Sequence, residues 1–150
     1  MNAKEYLTRI NIAREEIEQR KDLIEKLRSA AVHVGGMNDD GVRVKTSNPD
    51  GDRMADAIAQ IVDMENDLAG DIVRLSEMQV EATRMISALP DPVHARILYM
   101  RYVRGDSWGV IERTVGISER NSPRLAHLAY ESFEDKYRDF LANLTKNDEQ

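Results

Sequence analysis

Apolar residues recur over the first 89 positions in two long series whose steps mostly alternate between three and four residues. The first series contains Ala3, Tyr6, Ile10, Ala13, Ile17, Ile24, Leu27 and Ala31. The second contains Met54, Ala57, Ile61, Met64, Leu68, Ile72, Leu75, Met78, Ala82, Met85 and Leu89. An average step of about 3.5 residues is typical of amphipathic helices that pair along a narrow seam. The spacing predicts an all-α chain whose residues 1–89 form a long antiparallel, coiled-coil-like hairpin, with helices over about 3–32 and 53–89.

The segment between the two series, residues 33–52, is rich in glycine, asparagine and aspartate and contains one proline. That composition predicts a flexible loop. A connection of about 20 residues is longer than helix-to-helix connections usually are, so the loop is either mobile or held by a partner. Asp52 directly precedes the second series and is the predicted N-cap of its helix.

Two narrow apolar stripes bury too little surface for a two-helix unit to be stable by itself. Association with a second copy would complete the core, so the sequence predicts a homodimer, most simply through a four-helix arrangement. The alternative is a hairpin that folds back on its own C-terminal domain. The two arrangements differ in which surface remains exposed.

Residues 90–150 show a different pattern, a series of short helices separated by turn residues. Pro90 ends the long helix, and Asp91 followed by Pro92 predicts the start of the next one. Turn residues at 105–107 and a glycine at position 116 then delimit a short helix and a long last helix. A helix, a short helix, a glycine turn and a long helix make up the layout of a helix-turn-helix domain.

Pro123 lies where the recognition helix of such a domain is expected to run. If that helix began at Ser118, the proline would interrupt it after about one turn, at a cost of about 3 kcal/mol. If Ser122 is the N-cap instead, Pro123 takes the favoured first position. The sequence therefore predicts a last helix over about 123–144 and an enlarged turn before it. The apolar residues at helical spacing along this helix predict that its far end packs on the hairpin or on a partner subunit.

The C-terminal third resembles region 4 of bacterial sigma factors. The residues that carry the resemblance are Leu89-Pro90, Arg96, Leu98, Arg101-Tyr102-Val103, Gly105, Ser107-Trp108, Ile111, Gly116-Ile117-Ser118, Arg124-Leu125 and Ala129. With its long helices in front of this unit, the chain is similar to the small sigma-region-4-like regulators of the ArpU and RinA type, which phages and prophages of Gram-positive bacteria carry. The resemblance implies sequence-specific binding of double-stranded DNA in transcriptional control, sometimes alongside RNA polymerase.

Charge along the chain agrees with a local DNA site. The whole chain has a formal charge of −6, but residues 91–128 hold six arginines and four carboxylates, a net charge of +2. Arginine suits bidentate contacts with phosphate and with guanine edges. The residues predicted to contact DNA are Arg113, Ser118, Arg120, Asn121, Ser122, Arg124 and His127.

Two positions depart from the family pattern. Glu112 stands where a small residue usually allows the last helix to cross closely, so its carboxylate must either turn outward or pair with Arg120 or Arg124. Ser122 stands where the family usually has an apolar residue that faces the short helix. Trp108 opens the short helix and is either a packing anchor or a partner-docking residue. The alternative functions are a protein-interaction module with a degenerate helix-turn-helix, docking on RNA polymerase or another protein, and a small DNA-packaging subunit.

The remaining features of the sequence narrow the function classes. Cysteine is absent, which excludes disulfides and thiolate metal sites. The chain contains no apolar run of about 18 residues and no cationic start followed by an apolar segment, so we expect a cytoplasmic protein with no membrane association. His33, His94 and His127 are scattered and no nucleophile accompanies a base at a recognisable spacing. We therefore expect neither an enzyme nor a bound cofactor or metal.

Overall fold

A computed structural model describes residues 1–35 and 49–148 of the chain. Its helices are α1 (Ala3–Gly35), α2 (Pro49–Ser87), α3 (Pro92–Leu98), α4 (Trp108–Val115) and α5 (Ser122–Asp148). A π-helical segment, Tyr99–Arg104, continues α3 directly. Every regular element in the described ranges is helical, which confirms the predicted all-α fold.

The two long helices exceed their predicted bounds. Both edges of the predicted 33–52 loop are helical, because α1 continues to Gly35 and α2 already begins at Pro49. The predicted N-cap role of Asp52 is therefore wrong, and Asp52 lies in the first turn of α2. A proline is favoured at the first helical position, where its missing N–H would have no intrahelical acceptor. Residues 36–48 of the predicted loop lie outside the described residues.

The chain divides into two compact units, and the division does not follow the predicted boundary at residue 89. One unit combines residues 1–14 with residues 75–150, and the other consists of residues 15–74. The first turns of α1 and the end of α2 belong to the same unit as α3, α4 and α5, because they share one apolar core with α5.

The unit of residues 15–74 consists of the remainder of α1 and the first part of α2. Ile17, Ile24 and Ile61 are buried along the seam. Arg20 pairs with Asp71 and Arg28 pairs with Glu65 across it. Partners that lie later in α1 thus lie earlier in α2, so the two helices run antiparallel as predicted.

The core of the other unit is built around Phe133, which is fully buried. Its side chain shares a cluster with apolar residues of α1, α2, α3 and α5. The fully or nearly fully buried members include Leu7, Ile10, Ile86, Leu98, Ala129 and Leu141. Because Leu141 belongs to this cluster, the far end of α5 packs on the hairpin helices of its own chain, one of the two predicted possibilities. Burying one large apolar side chain such as Phe133 contributes about 1.5–3 kcal/mol.

Candidate nucleic-acid interface

The segments from α3 to α4 have the start and stop signals that the sequence predicts. Asp91 caps α3, accepting a hydrogen bond from the Val93 N–H at 2.8 Å. Ser107 caps α4, with its side chain accepting from the Val110 N–H. Gly105 ends the π-helical segment and Gly116 ends α4. Their φ values of 79° and 78° lie in the left-handed region that favours glycine. Helices α3, α4 and α5 thus follow the order of a helix-turn-helix domain.

A small second core joins α4 to its neighbours. Ile97, Met100 and Ile111 are buried at its centre, and the half-buried residues packed around them are Trp108, Val110, Val115, Ile117 and Leu125. The cluster thus joins apolar residues of α3, the π-helical segment, α4 and the start of α5. Trp108 also lies beneath Arg101, whose guanidinium carbon is 5.4 Å from the centre of the indole ring. Most of this tryptophan is therefore engaged in packing within the chain.

The turn before α5 is enlarged, as the proline predicts. Ser118 opens it by accepting two bonds from the Asn121 N–H, at its carbonyl (3.0 Å) and its hydroxyl (3.2 Å). The helix then begins at Ser122, and the Leu125 N–H donates to the Asn121 carbonyl at 3.1 Å. Ser122 is thus the first helical residue and not the N-cap. The predicted start is displaced by one residue, and Pro123 still lies in the first turn, where its missing N–H does little harm.

The predicted DNA-contacting residues differ in accessibility. Arg113, Ser118, Arg120, Arg124 and His127 are exposed, on α4, in the turn and in the first two turns of α5. Asn121 is half-buried. Ser122 is only 5% exposed, because its position faces the protein interior, so its hydroxyl is not part of the exposed surface.

The arginines of this surface lack carboxylate partners. Among the described residues, no ion pair involves Arg113 or Arg120, and Arg124 donates only to the Asn121 side-chain oxygen, at 2.9 Å. Nor does any ion pair join Glu112, a half-buried residue, to these arginines. His127 lies 3.1 Å from Glu131, one turn further along α5. The positive charge of the three arginines is therefore available to an anionic partner.

Sequence reasoning missed the contact that joins the start of α1 to this domain. The Arg14 guanidinium donates to the carbonyls of Tyr102 (3.0 Å) and Val103 (2.7 Å), and to the Asn11 side-chain oxygen at 2.6 Å. The Gln79 amide adds a bond to the Val103 carbonyl at 3.3 Å. These side chains satisfy carbonyls at the end of the π-helical segment, which have no helical donor. Arg14 and Tyr102 are 88 positions apart, so the spacing of residues around either one does not indicate this contact.

Two further properties concern metal ions and membranes. Within residues 1–35 and 49–148, no three histidine, aspartate or glutamate side chains are grouped as metal ligands. No helix in these ranges combines the length and the apolar character needed to cross a bilayer.

Comparisons of the chain with protein-family models, with curated proteins and with solved structures found no match.

Proposed function

We propose that the protein is a DNA-binding transcriptional regulator of phage or prophage origin that acts in the cytoplasm. Its contact surface is formed by α4, the turn at residues 116–121 and the first two turns of α5. The observation that carries this proposal is the set of exposed arginines without carboxylate partners on a helix-turn-helix framework.

Among the described residues, all three arginines of this surface are unpaired, whereas the hairpin contains both paired arginines and unpaired ones such as Arg53 and Arg84. Arg20 and Arg28 are neutralised by carboxylates of the facing helix. Arg113, Arg120 and Arg124 have no such partners among the described residues. An exposed arginine without a carboxylate gains the full benefit of a phosphate contact, because no existing ion pair must be broken first. A chain with a net charge of −6 can approach DNA productively only with such a local surface.

The geometry favours phosphate contacts over extensive reading of bases. Asn121 is half-buried and bonded to Arg124, and Ser122 is buried, so two of the predicted polar contacts are largely removed from the surface. Arg120 projects from the turn and Arg124 from the first turn of α5. These two arginines are the candidates for base edges, while Arg113 and His127 flank them. Phosphate contacts position a protein on the duplex, whereas base contacts specify the sequence.

The test is a fluorescence-anisotropy titration of labelled duplexes with wild-type protein and with Arg120→Ala/Arg124→Ala. Duplexes from the DNA next to the gene are compared with shuffled duplexes of the same composition. The matched control is Arg138→Ala, which removes an exposed arginine that is paired with Asp135 further along α5. We expect the double variant to lose binding and the control to retain it. Equal affinity of all three proteins would refute the proposal.

A second candidate function, docking on RNA polymerase or another protein, is favoured by Glu112. This half-buried residue is adjacent to Arg113 in sequence, and its negative charge lowers the positive potential of the surface. A helix-turn-helix that no longer reads DNA would retain its fold and present α4 to a protein. Titration of the labelled protein with purified RNA polymerase, in the absence of DNA, distinguishes this function. Saturable binding to polymerase together with no retention of any duplex would favour it.

A further inference from the structure

The side chain of Asn121 holds the guanidinium of Arg124. Its amide oxygen accepts a hydrogen bond from Arg124 Nε at 2.9 Å. Asn121 precedes the first helical residue of α5, the position from which a side chain usually accepts a bond from the backbone N–H two or three residues ahead. Two residues ahead lies Pro123, which has no N–H, and no backbone N–H of the described residues donates to this oxygen. The asparagine side chain therefore holds the arginine and does not cap the helix.

Asn121 is itself fixed on both sides of its backbone. Its N–H donates to the Ser118 carbonyl at 3.0 Å and to the Ser118 hydroxyl at 3.2 Å. Its carbonyl accepts from the Leu125 N–H at 3.1 Å. Asn121 is half-buried, and the next residue, Ser122, is buried. The bond to Arg124 therefore starts from a fixed base, and it restricts the orientations that the guanidinium can take.

The held guanidinium keeps its outer edge free. Arginine has five N–H groups, one on Nε and two on each Nη. Within the described part of the chain, nothing accepts a bond from the Nη atoms of Arg124. These atoms form a rigid, planar fork that matches two acceptors lying side by side. Guanine presents such a pair, O6 and N7, in the major groove of DNA.

Arg120 provides the contrast. It is exposed, and no hydrogen bond or ion pair to any described residue fixes its side chain. An arginine that moves freely suits a phosphate, whose contact positions the protein without reading sequence. Fixing a side chain in advance lowers the ordering cost of binding, and this matters most where the contact requires one orientation, as at a base edge. Arg124 also lies in the first turn of α5, and the first residues of a recognition helix are those that contact bases.

We propose that Arg124 reads a guanine in the major groove and that Asn121 is a positioning residue, which holds the guanidinium in the orientation that this contact requires. The inference rests on the proposed DNA-binding function and adds to it the base that is read and the residue that positions its reader. Asn121 acts through Arg124 and needs no contact of its own with DNA. Arg120 supplies a phosphate contact beside it.

The first test is a selection from a pool of random duplexes with wild type, Arg124→Lys and Arg120→Lys. Arg124→Lys keeps the positive charge but lacks the fork that spans two acceptors. Arg120→Lys is the matched control, because it makes the same exchange at an exposed arginine that no described residue holds. We expect wild type and the control to enrich a guanine at one position, and Arg124→Lys to lose that enrichment.

The second test measures the role of Asn121 on the selected duplex. The duplex is compared with a copy that carries 7-deazaguanine, which lacks the N7 acceptor, at the enriched position. Wild type should bind the modified duplex about 10-fold more weakly. Asn121→Ala and Asn121→Leu both remove the acceptor for Nε. They should bind the guanine duplex about 5-fold more weakly than wild type and the modified duplex with wild-type affinity. Circular dichroism verifies that each variant keeps wild-type helicity.

The outcomes separate this inference from the proposed function. A wild type that retains no duplex would refute DNA binding, and guanine reading with it. Retention of duplexes without an enriched guanine, or an enrichment that Arg124→Lys preserves, would overturn guanine reading and leave DNA binding unaffected. Equal sensitivity of wild type and the Asn121 variants to 7-deazaguanine would overturn the positioning role of Asn121.

Discussion

Two glycines with the same backbone conformation allow the contribution of the Arg14 contact to be measured. Gly105 and Gly116 have φ values of 79° and 78°. An alanine in the left-handed region costs about 1–2 kcal/mol, and this cost is common to both positions. A Cβ at Gly116 would meet nothing within 4 Å, whereas a Cβ at Gly105 would lie 2.6 Å from Nη1 of Arg14.

The expected difference follows from what holds Arg14 in place. Its guanidinium could move away from an added methyl only by giving up bonds to the carbonyls of Tyr102 and Val103 and to the Asn11 side chain. A hydrogen bond from a charged donor contributes about 1.5–3 kcal/mol. Loss of roughly one such bond makes Gly105→Ala more destabilising than Gly116→Ala by about that amount.

The assay is equilibrium unfolding in urea, monitored by circular dichroism, of both variants in wild-type and Arg14→Met backgrounds. In the Arg14→Met background the two substitutions should become equally destabilising, because the guanidinium that the methyl displaces is gone. Equal costs in the wild-type background would refute the reasoning, as would a difference that persists without Arg14.

Two further predictions concern stability. Pro123→Ala should change the free energy of unfolding by less than about 1 kcal/mol in a urea titration, because position 123 lies in the first turn of α5. Stabilisation by about 3 kcal/mol would contradict this, since it would place the proline in a helix interior. Burial, reinforced by Glu81, raises the pKa of Tyr6, and burial with the Tyr102 hydrogen bond raises that of Tyr130. Their neutral forms stabilise the fold fully below the unfolded pKa of about 10, and this contribution is lost as pH rises further. Tyr6→Phe and Tyr130→Phe should flatten the loss of stability above pH 10, and an unchanged pH dependence would contradict this.

Local chemistry in the sequence predicted the helix boundaries near the candidate site. Asp91, Ser107 and Gly116 act within one turn of their own positions, and so does the restriction that Pro123 places on its neighbours. Patterns of this kind depend on a few consecutive residues. They therefore identified the start of α5 to within one residue.

Contacts between distant segments could not be read from these patterns. Arg14 lies on the buried face of α1, four residues after Ile10, but nothing near it in sequence indicates carbonyls 88 and 89 positions away. The π-helical turn at Tyr99–Arg104 and the non-helical geometry of Tyr137 within α5 likewise have no local signal.

The burial of Ser122 shows a further limit. A serine near a helix start was expected to reach DNA, yet Ser122 is only 5% exposed in the folded chain. Exposure depends on how two helices cross, and the spacing of apolar residues on either helix does not determine that crossing.

The salt dependence of DNA affinity tests the proposed DNA contacts most directly. Three unpaired arginines per protomer predict that the logarithm of the binding constant falls with the logarithm of salt concentration with a slope of about −2.7. Arg113→Ala, Arg120→Ala and Arg124→Ala should each reduce the magnitude of the slope by about 0.9, whereas Arg138→Ala should leave it unchanged. A slope that none of the three variants alters, or the absence of binding even at low salt, would contradict the account.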